Sequence, residues 1–283
     1  MKIAFVGQMN YYDCCIPQNM KGVEIVKLDI NWDASDLYQH ECLLNEEYKD
    51  VDVWFFFRGE FVPERYFEKL NGITVNISTE PIEREDTSYY LKQCKEKFDK
   101  FYHYDKTQIS LVEQLGVHVD GDFQLPVDLD TYEPLLLEKQ YDLSFVGRST
   151  EHREHIFSSL KHKRNFLHVA HGLNGSGLVE VYDKSKINLN VKIGEYSQLP
   201  HRMQNIIACG GFVLSERLSH NDDLKEYEHY IPFSSIHELE DKVEHYLENE
   251  KERNKISKKG LEYVKERFDS RKCWKNLIEE VMK

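Results

Sequence analysis

The chain has few cysteines, and their positions argue against a disulfide-stabilised protein. Six occur in 283 residues, none of them in a Cys-x-x-Cys pair, and the vicinal Cys14 and Cys15 cannot link distant segments. No apolar run approaches the ~20 residues that span a bilayer, and the first 15 residues lack the cleavage site of a signal peptide. Together these absences predict a cytoplasmic protein with reduced thiols and no membrane span.

Positive charge is also scarce. Lys and Arg number 37 against 50 Asp and Glu, so the net charge is −13. Such a surface repels phosphate backbones and anionic lipids, and duplex nucleic acid is therefore not an expected partner. A small local pocket that binds phosphate is still compatible with this charge. Hydrophobic residues make up 40% of the chain, enough for two cores in a chain of this length.

Strand-like and helix-like segments alternate through both halves of the chain. Residues 51–57 are typical of a buried parallel strand, and a second series of strands and helices begins at Tyr141. Residues 123–135 contain two prolines and no periodicity, so we place the domain boundary there, giving domains 1–137 and 138–283. The pattern predicts an α/β protein with two doubly wound, Rossmann-like domains whose ligand lies at the carboxyl ends of the strands.

The most informative stretch is residues 182–216, in which a strand, a loop, a helix, the pair Gly210–Gly211 and another strand follow each other. A helix that begins at Pro200 or His201 presents free N–H groups and the positive end of its dipole to the preceding loop, which suits a diphosphate. Arg202 lies in the first turn, where a bound anion would offset its charge. A solvated surface arginine is the alternative interpretation.

A second candidate lies in the segment FVGRSTEHR. Gly147 ends a predicted strand and allows a ligand to approach the backbone closely, and Arg148 adds positive charge. Ser149 or Thr150 would cap the following helix. One glycine after a strand is equally typical of an ordinary β–α turn, so this segment does not define a site by itself.

In order and spacing, these segments resemble the C-terminal domain of CgeB-type glycosyltransferases of the GT-B class. The shared motifs are YDLSFVGRSTEHR, YDKSKINLN, Arg202 followed by ACGGFVLSE, and the helical tail; the linker LPVDLDTYEPL is also similar. The resemblance covers residues 141–283. It implies two domains facing a central cleft, a last helix (269–283) that packs back on the N-terminal domain, a nucleotide sugar as substrate, and no separate cofactor. The donor-binding residues expected on this basis are Gly147, Arg148, Arg202, Asn205, Gly210 and Gly211.

The chain departs from the family at two positions. Many relatives have a glutamate that can hold the donor ribose where this chain has Asn205, and many retaining relatives have another where it has Ser197; Glu195 is out of register. Asn205 can still hydrogen-bond a ribose hydroxyl. We predict a transferase that moves a hexose from a nucleoside-diphosphate sugar, with a UDP-sugar favoured, to an acceptor hydroxyl. A sugar-nucleotide-binding protein without turnover and a UDP-sugar epimerase are the alternatives.

The N-terminal half is expected to supply the acceptor side. An inverting transferase needs a carboxylate or histidine that deprotonates the acceptor hydroxyl, and Asp13, Glu80 and His103 are candidates near strand ends. Arg58 is a candidate for an acidic acceptor group or a donor phosphate, or for an ion pair with a glutamate such as Glu60. The acceptor class, the donor base and sugar, the stereochemistry and the oligomeric state stay open at this point.

Metal-binding patterns are weak. Three Asp-x-Asp pairs occur, at 50/52, 120/122 and 128/130, but the first precedes its strand and the others lie in or near the linker. The histidine pairs 152/155 and 168/171 lack a third ligand nearby. We therefore predict no metal site and metal-independent transfer.

Overall fold

The computed structural model describes most of the chain. The described residues are 1–31, 39–83, 87–94, 96–193, 200–218 and 223–283; Glu195 and Ser197 lie outside them. Contacts divide the chain into an N-terminal unit, Met1–Leu125 with Arg271–Lys283, and a C-terminal unit, Pro126–Ser270. The division thus lies between Leu125 and Pro126, within the segment 123–135 that contains the two prolines.

The N-terminal unit is built on a parallel sheet. Its strands are β1 (Lys2–Gly7), β2 (Glu24–Asp29), β3 (Val53–Phe57), β4 (Ile73–Ser78), β5 (Lys100–His103) and β6 (Gly121–Asp122), and its first helices are α1 (Met9–Tyr12), α2 (Glu64–Phe67), α3 (Thr87–Lys92) and α4 (Ile109–Gln114). The described strands pair in the order β2-β1-β3-β4-β5-β6. All five side chains of β3 are buried, because a parallel sheet in an α/β unit is covered on both faces.

The C-terminal unit has the same architecture. Its strands are β7 (Tyr141–Val146), β8 (Phe166–Val169), β9 (Ser185–Asn190), β10 (Val213–Glu216) and β11 (Ile231–Phe233), and its helices are α5 (Glu151–Lys163), α6 (Gly175–Asp183), α7 (His201–Ala208), α8 (Ile236–Glu248) and α9 (Glu250–Arg267). The described strands pair in parallel in the order β11-β10-β9-β7-β8. Two parallel α/β units are what the alternation in the sequence predicted.

Strand β9 has one apolar face and one polar face. Ile187 and Leu189 pack in the hydrophobic core with Phe145. Asn188 and Asn190, on the opposite face, are buried as well, and their side chains hydrogen-bond within the sheet layer, as when the Asn190 amide donates to Ser215 Oγ at 2.9 Å. The period of two along the strand sets this division, and it leaves a polar group at the carboxyl end of β9.

The last helix, α10 (Ser270–Val281), belongs almost entirely to the N-terminal unit. Its apolar stripe of Trp274, Leu277, Ile278 and Val281 is buried in the core of the N-terminal sheet. Trp274 lies edge-on to Phe5 at 4.7 Å between ring centroids and donates its indole N–H to the Cys15 carbonyl at 2.7 Å. The helix therefore crosses back to the N-terminal domain, as predicted. None of the described helices is long and apolar enough to cross a membrane.

Candidate functional site

Two arginines flank a buried phenylalanine at the carboxyl edge of the C-terminal sheet. The guanidinium carbons of Arg153 and Arg202 each lie 4.9 Å from the centroid of the Phe145 ring, and Arg148, which is exposed, follows at the end of β7. Burial is the largest cause that lowers the pKa of Arg153, and the charges of Arg202 and Arg148 lower it further. The three arginines therefore form one positive cluster, which we call the arginine cluster.

Arg202 is held in the first turn of α7. Its Nη1 donates to Asn190 Oδ1 at 3.1 Å, and burial lowers its pKa. Pro200 is the N-cap residue of the helix, and its side chain makes no capping hydrogen bond. Among the described residues, no carboxylate forms an ion pair with Arg148, Arg153 or Arg202. Burying guanidinium groups that form no ion pair with a described carboxylate is costly, so the cluster is suited to a bound anion, even though the nearby Glu216 favours the charged form of Arg153.

Gly147 makes room for Arg202. Its φ of +152° lies in a region that side chains rarely adopt, and a Cβ at this position would lie 2.8 Å from Arg202 Nη2. The Gly147 N–H already donates to the Val169 carbonyl at 2.9 Å. The glycine therefore serves the site by the space it leaves, and its amide is part of the sheet.

Arg153 is a site residue that the sequence reasoning missed. It is 4% exposed, and its guanidinium donates to the carbonyls of Val191 at 3.0 and 3.1 Å, Lys192 at 3.2 Å and Arg148 at 2.9 Å. These bonds fasten the ends of β7 and β9 to the start of α5. Burial lowers its pKa to about 10. One pattern could have found it: Arg153 occupies the apolar stripe of α5 with Ile156, Phe157 and Leu160.

Glu216 is an acidic residue at the same sheet edge. It ends β10, and its carboxylate accepts from the Lys192 N–H at 2.9 Å and lies 3.1 Å from His152 Nε2. These partners hold Glu216 in place beside the loop that follows β9. The edge thus carries a fixed carboxylate close to the three arginines.

Asn205 lies one turn after Arg202 on α7, and the i, i+3 spacing puts both on one helix face. The side chain is 5% exposed. Its Oδ1 has no hydrogen-bond partner among the described residues. The structure thus brings Asn205 to the side of Arg202 and leaves one buried acceptor atom available to a hydroxyl that reaches it.

Gly210 and Gly211 lie at the other end of α7. With a φ of +72°, Gly210 ends the helix, and the two N–H groups donate to Ile207 and Ile206 at 2.9 Å. An eight-residue helix is about 12 Å long, so the pair is at the amino edge of the sheet. The structure does not bring these glycines to Arg202, and it gives them a role in helix termination and close packing.

Arg58 and Glu80 meet at the carboxyl edge of the N-terminal sheet. Arg58 follows β3 with a φ of +60°, and its guanidinium lies 3.2 Å from both Glu60 Oε1 and Glu80 Oε1. Glu60 is buried, and burial raises its pKa, although Arg58 opposes that shift. The ion pair with Glu60 is the alternative that the sequence left open, and Arg58 is half-buried between two carboxylates.

The other two candidate bases are placed differently. His103 is fully buried, and burial lowers its pKa; its Nε2 has no partner among the described residues. Asp13 is exposed and pairs with Lys27 on β2 at 2.6 Å. Glu80, whose side chain is 19% exposed, is the candidate that is both accessible and next to Arg58. The described part of the chain contains no group of three His, Cys, Asp or Glu side chains suited to a metal ion.

A family model described as glycosyl transferase-like matches residues 135–279, just over half of the chain. The matched region contains the whole arginine cluster. No curated protein sequence matches the chain.

Solved structures share the fold. HepE of Anabaena, crystallised with UDP-glucose, is 9% identical, with a TM-score of 0.73 over 100% of this chain and 99% of that one. Sucrose-phosphate synthase from Thermosynechococcus elongatus is 11% identical, with a TM-score of 0.64 over 100% and 99%. TarM of S. aureus is 11% identical, with a TM-score of 0.60 over 84% of this chain, which spans 56% of TarM. At these identities the likeness concerns the fold, which is the predicted two-domain GT-B fold.

Proposed function

Because the chain belongs to the glycosyl transferase-like family, we propose that it moves a hexose from a nucleoside-diphosphate sugar to an acceptor hydroxyl. The family makes it a transferase; the donor, the hexose and the CgeB-like subfamily are parts of the proposal. A UDP-sugar is the favoured donor because HepE, which shares the fold, was crystallised with UDP and with UDP-glucose.

The observation that carries the proposal is the arginine cluster, with which no carboxylate in the described part of the chain forms an ion pair. A diphosphate brings two or more negative charges, and charge-assisted hydrogen bonds to arginine are roughly twice as strong as neutral ones. The start of α7, where Pro200 offers no capping side chain, adds N–H groups and a positive dipole end. As the bond between the sugar and the diphosphate breaks, the same groups stabilise the charge that develops on the leaving oxygen.

We assign the donor contacts residue by residue. Arg202 and Arg148 bind the diphosphate, and Gly147 leaves the space that Arg202 occupies. Arg153 does not reach the donor in this proposal; it positions the strand ends through its carbonyl contacts. Asn205 accepts a hydrogen bond from a ribose hydroxyl. Gly210 and Gly211 are left out of the donor site.

Glu80 is the base we assign for an inverting reaction. The acceptor hydroxyl gives its proton to Glu80 while its oxygen forms a bond to the anomeric carbon, and the nucleoside diphosphate leaves with the electron pair of the broken bond. Arg58 fixes the orientation of the Glu80 carboxylate. Asp13 and His103 are weaker candidates, because Asp13 pairs with Lys27 and His103 is fully buried.

Nucleotide release tests the proposal. The full chain is incubated with UDP-, GDP-, ADP- and dTDP-hexoses, with and without a mixture of hydroxyl acceptors, and free nucleotide and sugar products are measured. We expect UDP release that rises with acceptor. Tight UDP-sugar binding without release of UDP would favour the alternative of a sugar-nucleotide-binding protein without turnover. The buried Asn205, which stands where many relatives have a glutamate, supports that alternative. Interconversion of the donor sugar would favour the epimerase.

A further inference from the structure

Aromatic rings line the carboxyl edge of the N-terminal sheet. Phe61 ends the 3₁₀ turn Gly59–Phe61 that follows β3, and Tyr89 and Tyr90 belong to α3, which follows β4. The ring centroids of Phe61 and Tyr90 are 4.4 Å apart with the ring planes at 49°, and those of Tyr89 and Tyr90 are 5.3 Å apart with the planes at 79°. The three rings are thus in contact but do not share one plane. We call these three rings the aromatic platform.

The aromatic platform is continuous with the Arg58 ion pairs. The Arg58 guanidinium carbon lies 4.6 Å from the centroid of Phe61, and the same guanidinium contacts Glu80. This cation–π contact stabilises the positions of the Arg58 guanidinium and the Phe61 ring. A ligand that lies on the aromatic platform therefore has a guanidinium and a carboxylate within reach at its border.

The aromatic platform is partly open to solvent. Tyr89 is 61% exposed, and Phe61 and Tyr90 are half-buried. Tyrosine rings in contact with each other and with water are typical of ligand sites, because they offer a flat apolar face and a hydrogen-bonding hydroxyl. Tyr11, which lies in α1 after the carboxyl end of β1, is 64% exposed, so the aromatic character extends beyond these three rings.

We propose that the aromatic platform binds the acceptor and that the acceptor is a neutral saccharide. A pyranose ring has a C–H face that packs on an aromatic ring and a rim of hydroxyls that hydrogen-bond to carboxylate and guanidinium. Among the described residues, two glutamates at this border face two cations, because the Lys97 ammonium donates to the Glu60 carbonyl at 3.4 Å. These charges leave no excess of positive charge, which disfavours phosphorylated or uronic acceptors. The inference rests on the proposed function, because it names the acceptor class of that reaction.

The first test measures binding directly. Saturation-transfer NMR is run on the full chain with chitotriose, cellotriose and maltotriose, and with a trimer of galacturonate as the anionic probe. We expect a signal for at least one neutral trisaccharide. Tyr90→Leu should lower the affinity for that trisaccharide about tenfold. Tyr227→Leu, which removes a 57% exposed tyrosine of the C-terminal unit, is the matched control and should change nothing.

The second test separates this inference from the proposed function. Binding and slow hydrolysis of UDP-hexose without acceptor are measured for the wild type and for Tyr89→Leu and Tyr90→Leu. We expect both donor readouts to stay at wild-type values while the KM for the trisaccharide rises. Donor binding together with no trisaccharide binding, or an unchanged KM in both variants, would overturn the acceptor assignment alone. Loss of all donor binding in the wild type would instead contradict the proposed function.

Discussion

His201 begins α7 directly before Arg202, and we expect it to make the C-terminal unit sensitive to acid. Its Nε2 donates to the Pro126 carbonyl at 2.7 Å, and burial lowers its pKa to about 4. Below its ordinary pKa of 6.5 the unfolded chain binds a proton that the folded chain refuses. Stability therefore falls as the pH drops from about 6.5 to 4, by up to about 3 kcal/mol.

The measurement is urea unfolding at pH 7.5 and pH 5 for the wild type and His201→Gln, which keeps an N–H donor. We expect the wild type to lose more stability between the two pH values than the variant. His162→Gln, at an exposed position of α5, is the control for general acid effects. An equal loss in wild type and His201→Gln would show that this ring does not set the pH response.

Single residues also show what sequence reasoning could not reach. Arg202 and Glu80 could be predicted as candidates because a residue at a strand end or helix start is visible in the pattern. The partners of Arg153 could not be predicted, because they are the backbone carbonyls of Arg148, Val191 and Lys192; only its place in the apolar stripe of α5 indicates that it is buried. The partners of Arg58 required knowledge of which strands are neighbours.

The turn between β7 and α5 contains Gly147, and its conformation leads to a second prediction. Gly147→Ala forces a side chain into a φ of +152° and places a Cβ 2.8 Å from Arg202 Nη2. We expect Arg202 to shift and UDP affinity to fall at least tenfold, while the C-terminal unit stays folded by circular dichroism.

Gly22→Ala is the control for backbone strain in this experiment. Gly22 has a φ of +76° but nothing within 4 Å of its added Cβ, and it lies in the N-terminal unit. It should lose stability without losing UDP affinity. Wild-type affinity in Gly147→Ala would mean that the position of Arg202 does not depend on this glycine.

At the scale of elements, most of the fold follows from local patterns. The period of two in β9 and the continuous apolar run of β3 identify strands, and the stripe of α10 identifies a buried helix face. The sheet edge at which Gly210–Gly211 lies was not identified from these patterns. The pair follows a helix that the sequence places correctly, but only the three-dimensional path shows that it points to the opposite sheet edge from Arg202.

The whole molecule depends on α10, because this last segment completes the core of the first unit. Trp274 packs against the rings of Phe5, Phe55 and Phe123 at 4.7 to 5.0 Å. Deleting residues 270–283 should unfold the N-terminal unit and abolish transfer, while UDP binding by the C-terminal unit partly survives. The milder Trp274→Ala should cost about 3–5 kcal/mol in the free energy of unfolding. Full turnover in the truncated chain would contradict this account of α10.

Turnover by the whole chain should not need a divalent metal. In the proposed reaction, the arginine cluster and the start of α7 supply the charge that balances the leaving diphosphate. We expect the rate of UDP-hexose turnover to be unchanged after treatment with EDTA. A complete loss of turnover that Mn²⁺ or Mg²⁺ restores would show that these cationic groups are insufficient.

The central claim is that Arg202 binds the diphosphate of a nucleotide sugar, and calorimetric titration with UDP tests it most directly. For Arg202→Ala we predict a loss of roughly 10–150-fold in affinity, equivalent to about 1.5–3 kcal/mol. Arg202→Lys should recover part of it, because lysine keeps the charge without the two-pronged geometry. Arg267→Ala, which removes an exposed arginine of α9 paired with Asp223, should bind UDP as the wild type does. An unchanged affinity in folded Arg202→Ala would contradict the account.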